Sequence, residues 1–167
     1  KTNIKSLCDE IIKLMANTYT QIHIQFIFAV KYRKGVILAS WKDELYKYLT
    51  GIVQNNKHKM ISINGMPDHI HLLAGIRPSQ SISDLMKDIK GSSSKWINEK
   101  KFTKERFEWQ EGYGAFSYGK SQVKNVISYI ENQEKHHKRK SFKEEYLDFL
   151  KKFDVEFDDK YLFKDLI

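Results

Sequence analysis

Lys59–Ile76 reads KMISINGMPDHIHLLAGI. Two apolar-rich runs flank Asn64-Gly65-Met66-Pro67, residues that favour a turn, so the stretch reads as a hairpin. One strand is expected from about Lys59 to Ile63, a turn over 64–67, and a return strand from about His69 to Ile76. Side chains two apart on a strand share a face, so His69 and His71 project together while Ile70 and Leu72 turn to the other side. Two adjacent imidazoles can each give one nitrogen to a divalent metal. A bare His-x-His is also an ordinary pair of solvated strand histidines, and the spacing alone does not choose. Asp68 reads as a turn residue that could also orient a histidine.

Upstream, Thr20–Val30 alternates: Ile22, Ile24, Phe26, Phe28 and Val30 share one face, and Gln21, His23 and Gln25 the other. This predicts a half-buried strand whose polar face could be open to a ligand, ended by the basic stretch Lys31-Tyr32-Arg33-Lys34-Gly35. Ser40 can cap a following helix whose stripe is Trp41, Leu45, Tyr48, Leu49, Ile52 and Val53, dissolving near Asn55-Asn56. Downstream, Ile82, Leu85, Met86, Ile89, Trp96 and Ile97 predict a helix from about Ser81 to Glu99. Residues 102–118 are aromatic and punctuated by glycine, as in a strand with irregular turns. Ser121 can cap a helix running to about His137, with Val123, Val126, Ile127 and Ile130 on its core side, and one more amphipathic helix lies in the tail.

The order strand–helix–strand–strand–helix–strand–helix predicts an α+β fold, a ferredoxin-like or RRM-like antiparallel sheet with helices packed on one face. At 167 residues there is room for one well-cored domain. Residues 1–14 read as an extension of uncertain origin ahead of Met15, residues 15–140 as the main domain, and 141–167 as a helical tail packed on it.

Composition narrows the partners. The chain is 41% hydrophobic and 30% charged, a globular balance, and its single cysteine, Cys8, excludes a disulfide framework or a Cys-rich zinc site. No run of about 18 apolar residues suggests a membrane span. A soluble cytoplasmic protein is expected, with no membrane partner. The formal charge of +8 favours polyanionic partners, nucleic acid first among them.

Two further constellations bear on chemistry. Tyr129 and Gln133 stand four apart, which on one helix stacks them on a common face, beside Gln122, Asn125, Asn132 and His136 and apart from the apolar stripe. An ordinary boundary tyrosine with its hydroxyl in water would look the same. Cations and rings also interleave: Lys31, Arg33 and Lys34, then Lys87, Lys90 and Lys95, then the run 135–140, with Trp109, Tyr113, Phe116 and Tyr118 among them. Cations can meet phosphates and rings can stack on unpaired bases, although a solvated charged face plus core aromatics accounts for many of these residues.

Taken together, Gly65-Met66-Pro67-Asp68-His69-Ile70-His71-Leu72-Leu73 resembles the HUH signature of single-strand insertion-sequence transposases and the related REP-associated tyrosine transposases. Val126-Ile127-Ser128-Tyr129-Ile130-Glu131-Asn132-Gln133 resembles that family's nucleophile helix, and the likeness spans about residues 16–140. The resemblance implies an enzyme that cleaves and rejoins single-stranded DNA at hairpin-marked element ends through a 5′-phosphotyrosine link, without ATP or another nucleotide cofactor. It implies Tyr129 as nucleophile, with His69, His71 and Gln133 holding Mg²⁺ or Mn²⁺. DNA contacts are expected from Lys31, Arg33, Lys34, Lys87, Lys90 and Lys95. It further implies a homodimer with sheets joined edge to edge, in a prokaryotic cytoplasm, associated with the nucleoid during activity. Three other readings stay open here: a homologue that binds structured single-stranded DNA without cutting it, an RNA-binding module, and a structural metal protein. Against the RNA-binding module, the chain lacks a Gly-Phe-Gly-type aromatic strand signature.

Overall fold

Alternation along the strands builds a four-stranded sheet with two different faces. The computed structural model describes residues 19–138, 140–158 and Leu162; residues 1–14, the start at Met15, Arg139 of the basic run and most of the aromatic end segment lie outside them. The strands are β1 (Ile22–Ala29), β2 (Lys59–Met66), β3 (His69–Ile76) and β4 (Gly114–Tyr118). They lie in the order β2-β3-β1-β4, every pair antiparallel. The helices are α1 (Lys42–Asn55), α2 (Ile82–Lys100), α3 (Val123–Glu131), α4 (Gln133–His137) and α5 (Phe142–Lys152). With α1 between β1 and β2 and α2 between β3 and β4, this is the ferredoxin-like arrangement that the pattern predicts.

Ile24, Phe26 and Phe28 of β1 and Ile70, Leu72 and Ala74 of β3 are buried in one core with Leu45, Leu49 and Val53 of α1 and Leu85, Met86, Ile89 and Ile97 of α2. Each of these side chains other than Ala74 stabilises the fold by about 1.5–3 kcal/mol. Ser81 caps α2, its Oγ accepting the Asp84 N–H at 3.1 Å. The serine-rich middle of that helix also has a use: buried Ser93 accepts a hydrogen bond from Trp109 Nε1 at 2.9 Å.

The one-face expectation holds only for α1 and α2. The other face is covered too, with Ile27, Ala29, Leu73 and Phe116 packed against Val126 and Ile130 of α3 and Phe142, Phe149 and Leu150 of α5. The polar face of β1 is therefore not open: Gln25 is completely buried.

Other boundaries move for identifiable reasons. β2 runs on through Met66, so the hairpin turn is the pair Pro67-Asp68. Gly65 permits this tight return, because a Cβ there would stand 2.2 Å from the His69 carbonyl oxygen. Ser40 does not cap α1; that helix starts after Trp41, which is buried and stacked on Phe102 at 5.0 Å, so packing fixes the start. β4 is only Gly114–Tyr118, and most of 102–113 is irregular apart from a bridge between Val30 and Trp109. Ser121 lies in a 3-10 turn, Lys120–Gln122, where Gln122 Oε1 accepts the Gly119 N–H at 3.0 Å.

The expected helix from Ser121 to His137 is also broken. Asn132, at φ −97° and ψ 21°, separates α3 from α4. Asn64 of β2 compensates the break, its Nδ2 donating to the carbonyls of Ile130 at 2.9 Å and Glu131 at 3.2 Å.

Candidate active site

The second face of the sheet gathers the polar side chains. His69 and His71 of β3 point into it together, both completely buried, as the hairpin predicts. From above come Gln133 and His137 of α4 and Glu145 of α5. His69, His71, His137 and Glu145 each bring one donor atom to a common centre, all within 4.8 Å of one another. Glu145 Oε2 lies 3.7 Å from His69 Nε2, 3.4 Å from His71 Nε2 and 3.1 Å from His137 Nε2. Gln133, also fully buried, places Oε1 3.1 Å from His137 Nε2 and Nε2 3.3 Å from Glu145 Oε1. The kink at Asn132 thus does not cost the site its glutamine.

Groups outside the cluster set the histidine tautomers. His69 Nδ1 lies 2.7 Å from Asp68 Oδ1, so the proton sits on Nδ1 and Nε2 keeps its lone pair for the centre. Asp68 is both the turn residue and the orienting group. Burial disfavours its charge, yet the hydrogen bond from His69 and the hydrogen bond and charge of Arg33 hold its pKa down to about 2. Arg33 reaches Asp68 through Nε at 3.0 Å and lies over the Phe142 ring at 4.1 Å. Tyr32 and Arg33 both sit at φ 57°, a left-handed conformation that side chains other than glycine and asparagine resist, and the Arg33 contacts help hold it.

Gln25 does for His71 what Asp68 does for His69. Its side-chain amide lies 3.0 Å from His71 Nδ1, and the Oε1 of the same amide is buried without a partner. The amide fixes the ring from behind, and which of its ends faces Nδ1 sets the tautomer of His71. Burial lowers the His71 pKa, with Glu145 pulling the other way. Burial, then the neighbouring histidines, push His137 down to about 4. Both rings are therefore neutral near pH 7, the form in which imidazole binds metal.

The donor set fits a cation on grounds of hydrogen bonding alone. His71 Nε2 and Glu145 Oε2 are buried atoms with no hydrogen-bond partner, and they face each other. Lone pairs left this way are costly unless a cation stands between them.

Tyr129 completes the group. Its ring lies edge-on to His71 at 5.9 Å and to His136 at 5.1 Å, and its hydroxyl is buried with no partner. It is not the solvated boundary tyrosine that its polar helix face would allow. A cleft of about 310 Å³ opens beside it, lined by Gln122, Asn125, His136, Lys140 and Lys152 among others. One chain thus brings the tyrosine, both histidines and the glutamine of the predicted set together over one face of the sheet.

Among the predicted cations Arg33 reaches the site, through Asp68, and the lysines lie away from the histidines. Lys31 pairs with Glu108 at 2.6 Å, Lys34 with Glu105 and Arg33 with Asp68. Lys90 donates to the carbonyls of Gln110 at 2.6 Å and Gly112 at 2.8 Å, Lys95 pairs loosely with Glu99 at 3.9 Å, and Lys87 is exposed. The last three lie on α2, across the sheet from the histidines. The lysines at the cleft are Lys140, the end of the basic run 135–140, which pairs with Asp148, and Lys152. His137, Glu145 and Gln25 were missed as site residues. His137 stands four residues beyond Gln133, and Glu145 interrupts the apolar stripe Phe142/Phe149/Leu150 of α5; both were available signals.

Comparison with known proteins follows the same line. A family model described as "Transposase IS200 like" matches residues 18–133. The chain is 30% identical over 120 residues to the ISDra2 transposase TnpA of Deinococcus radiodurans, covering 68% of this chain and 84% of that protein. It is 28% identical over 127 residues to the transposase for insertion sequence element IS200 of Salmonella typhimurium, covering 72% and 82%. A crystal structure of a transposase from Deinococcus radiodurans R1 superposes with TM-score 0.59 at 27% identity, covering 71% of this chain and 95% of that one. The REP-associated tyrosine transposase bound to a REP hairpin superposes with TM-score 0.53 at 13% identity, covering 70% and 69%, a likeness of fold.

Proposed function

The chain belongs to the IS200-like transposase family, and we propose that it cuts and rejoins single-stranded DNA, with Tyr129 as the nucleophile and His69, His71 and Gln133 as ligands of a divalent metal. The observation that carries this reading is the buried, unpartnered Tyr129 hydroxyl beside His71 in the same chain. A bound dication would supply Lewis-acid polarisation of the scissile phosphate and stabilisation of the leaving oxygen.

The chain's own groups do the rest. A strand lying in the cleft beside α3 brings a backbone phosphate to Tyr129, with Lys152 and Lys140 to meet its charge and Asn125 and Gln122 to hydrogen-bond it. Tyr129 Oη bonds to phosphorus as the bond to the 3′-oxygen breaks, which leaves a 5′-phosphotyrosine and a free 3′-hydroxyl. A free phenol has a pKa of about 10, so its proton must leave as attack proceeds. His136, its own pKa lowered chiefly by burial, is a neutral base beside the ring and can carry that proton toward the departing 3′-oxygen. Reversal with another 3′-hydroxyl rejoins the strand, and the energy of the broken bond stays in the link.

The substrate we propose is a hairpin with single-stranded flanks, a reading supported by a relative of the same fold that binds a REP hairpin. Dimerisation through a sheet edge belongs to the same proposal, since β2 and β4 form the two edges. No helix among the described residues is long and apolar enough to cross a membrane.

Incubation of the protein with labelled hairpin-bearing single strands and Mn²⁺, resolved on a denaturing gel, tests the reading. A covalent protein–DNA band in the wild type, lost by more than about 1,000-fold in Tyr129→Phe, is expected. A band of equal strength in the variant would refute the assignment of the nucleophile.

A further inference from the structure

We propose that His137 and Glu145 are metal ligands in their own right, making the site a three-histidine, one-carboxylate centre built for a transition-metal dication rather than Mg²⁺. The inference rests on His69 and His71 of the metal reading above and moves Gln133 to the outer role of hydrogen-bonding His137 and Glu145. It extends the site to residues beyond 18–133, the stretch that matches the family model.

Proton counting comes first. Asp68 fixes the proton of His69 on Nδ1, so His69 Nε2 is a lone pair; it lies 3.1 Å from His137 Nε2. His71 Nε2 and Glu145 Oε2 are buried and unpartnered. His69 Nε2, His71 Nε2, His137 Nε2 and Glu145 Oε2 thus converge within 4.8 Å of one another, with at least the His69 lone pair and the carboxylate facing the centre. A dication satisfies all four at once.

The spacing agrees. Bonds of about 2.1 Å at tetrahedral angles put neighbouring donor atoms about 3.4 Å apart. Glu145 Oε2 stands 3.1, 3.4 and 3.7 Å from the three ring nitrogens. Asp68 and Gln25 hold the rings from behind, as outer partners do in built metal sites.

Donor chemistry then selects the ion. Mg²⁺ prefers oxygen ligands in an octahedron and keeps several waters, whereas imidazole suits Mn²⁺, Co²⁺ and Zn²⁺ increasingly well. His69, His71 and Glu145 are buried and His137 is partly buried, a nitrogen-rich set that leaves an approach for a substrate oxygen.

The test uses the full chain, stripped with a chelator and titrated with Mg²⁺, Mn²⁺, Co²⁺ and Zn²⁺ by calorimetry, with Co²⁺ also followed by visible absorption. Affinity for Co²⁺ and Zn²⁺ should exceed that for Mg²⁺ by more than about 100-fold, and Co²⁺ should give the strong visible bands of a four-coordinate centre. Glu145→Gln and His137→Gln should each weaken Co²⁺ binding by at least about 10-fold and change its spectrum. Melting of the metal-free variants checks folding, and the near-isosteric Glu145→Gln suffices if His137→Gln does not fold. Unchanged Co²⁺ affinity and spectrum in a folded Glu145→Gln, or equal affinity for Mg²⁺, overturns the proposal. If those variants bind normally while His69→Ala loses the metal, only this inference falls. If His69→Ala also keeps the metal, the metal reading of the proposed function falls with it.

Discussion

On β1 and β3 the even-numbered residues face α1 and α2, and the odd-numbered residues face α3, α4 and α5. The even face holds Ile24, Phe26, Phe28, Ile70, Leu72 and Ala74, which need nothing but apolar neighbours. The odd face holds Gln25, His69 and His71, buried as deeply. Burial there leaves polar atoms to satisfy, and the chain does so with Asp68, Gln133, His137 and Glu145, yet His71 Nε2 and Glu145 Oε2 remain unpartnered. One face is complete when the chain folds; the other awaits a ligand. Both faces bury an apolar core, and on β1 and β3 only the second also buries polar side chains.

Neighbouring residues can break that division. His71→Ala removes a donor from the odd face, and metal-dependent adduct formation on single-stranded DNA should fall by more than about 100-fold, read on a denaturing gel. Full activity in that variant would mean the odd face is not the reactive one. Leu72→Ala, one residue along on the even face, should instead cost about 2–5 kcal/mol in denaturant unfolding. The metal should not restore that loss, and an equal cost for His71→Ala in the metal-free protein would erase the contrast.

Asp68 sharpens it at a finer scale. Its pKa lies at about 2 in the folded protein against 3.8 for the free group, a difference worth about 2 kcal/mol. Because the folded value is depressed, this stability is present above about pH 4 and is lost as pH falls toward 2. Asp68→Asn should lower stability at pH 7 by about that amount and flatten the acid limb between pH 4 and 2, measured by urea unfolding across pH. An acid limb unchanged by the substitution would place the pH dependence elsewhere.

Much of this division could be read from the residues. The period of two in Thr20–Val30 and His69–Ile76 placed β1 and β3 and the shared direction of the two histidines, and helical stripes placed α1 and α2. The family likeness carried Tyr129 and Gln133, which the structure brings together with the histidines. Local pattern could not show the break at Asn132, because the stabilising amide belongs to Asn64, far along the chain on β2. Nor could it show Glu145 closing over β3, a contact made by tertiary packing of α5. Gln25 was assigned to the correct face of β1, but that face proved buried, since nothing local announced the helices that cover it. The partners of the selected lysines were hidden for a related reason: Glu108 lies 77 positions from Lys31 along the chain.

In the proposed reaction the phenol of Tyr129 joins DNA beside His71. The most direct test is to trap the covalent complex, digest protein and DNA, and locate the residual nucleotide by mass spectrometry. The account predicts a 5′-linked nucleotide phosphate on Tyr129. A nucleotide on any other residue, or a 3′-linked one, would contradict it.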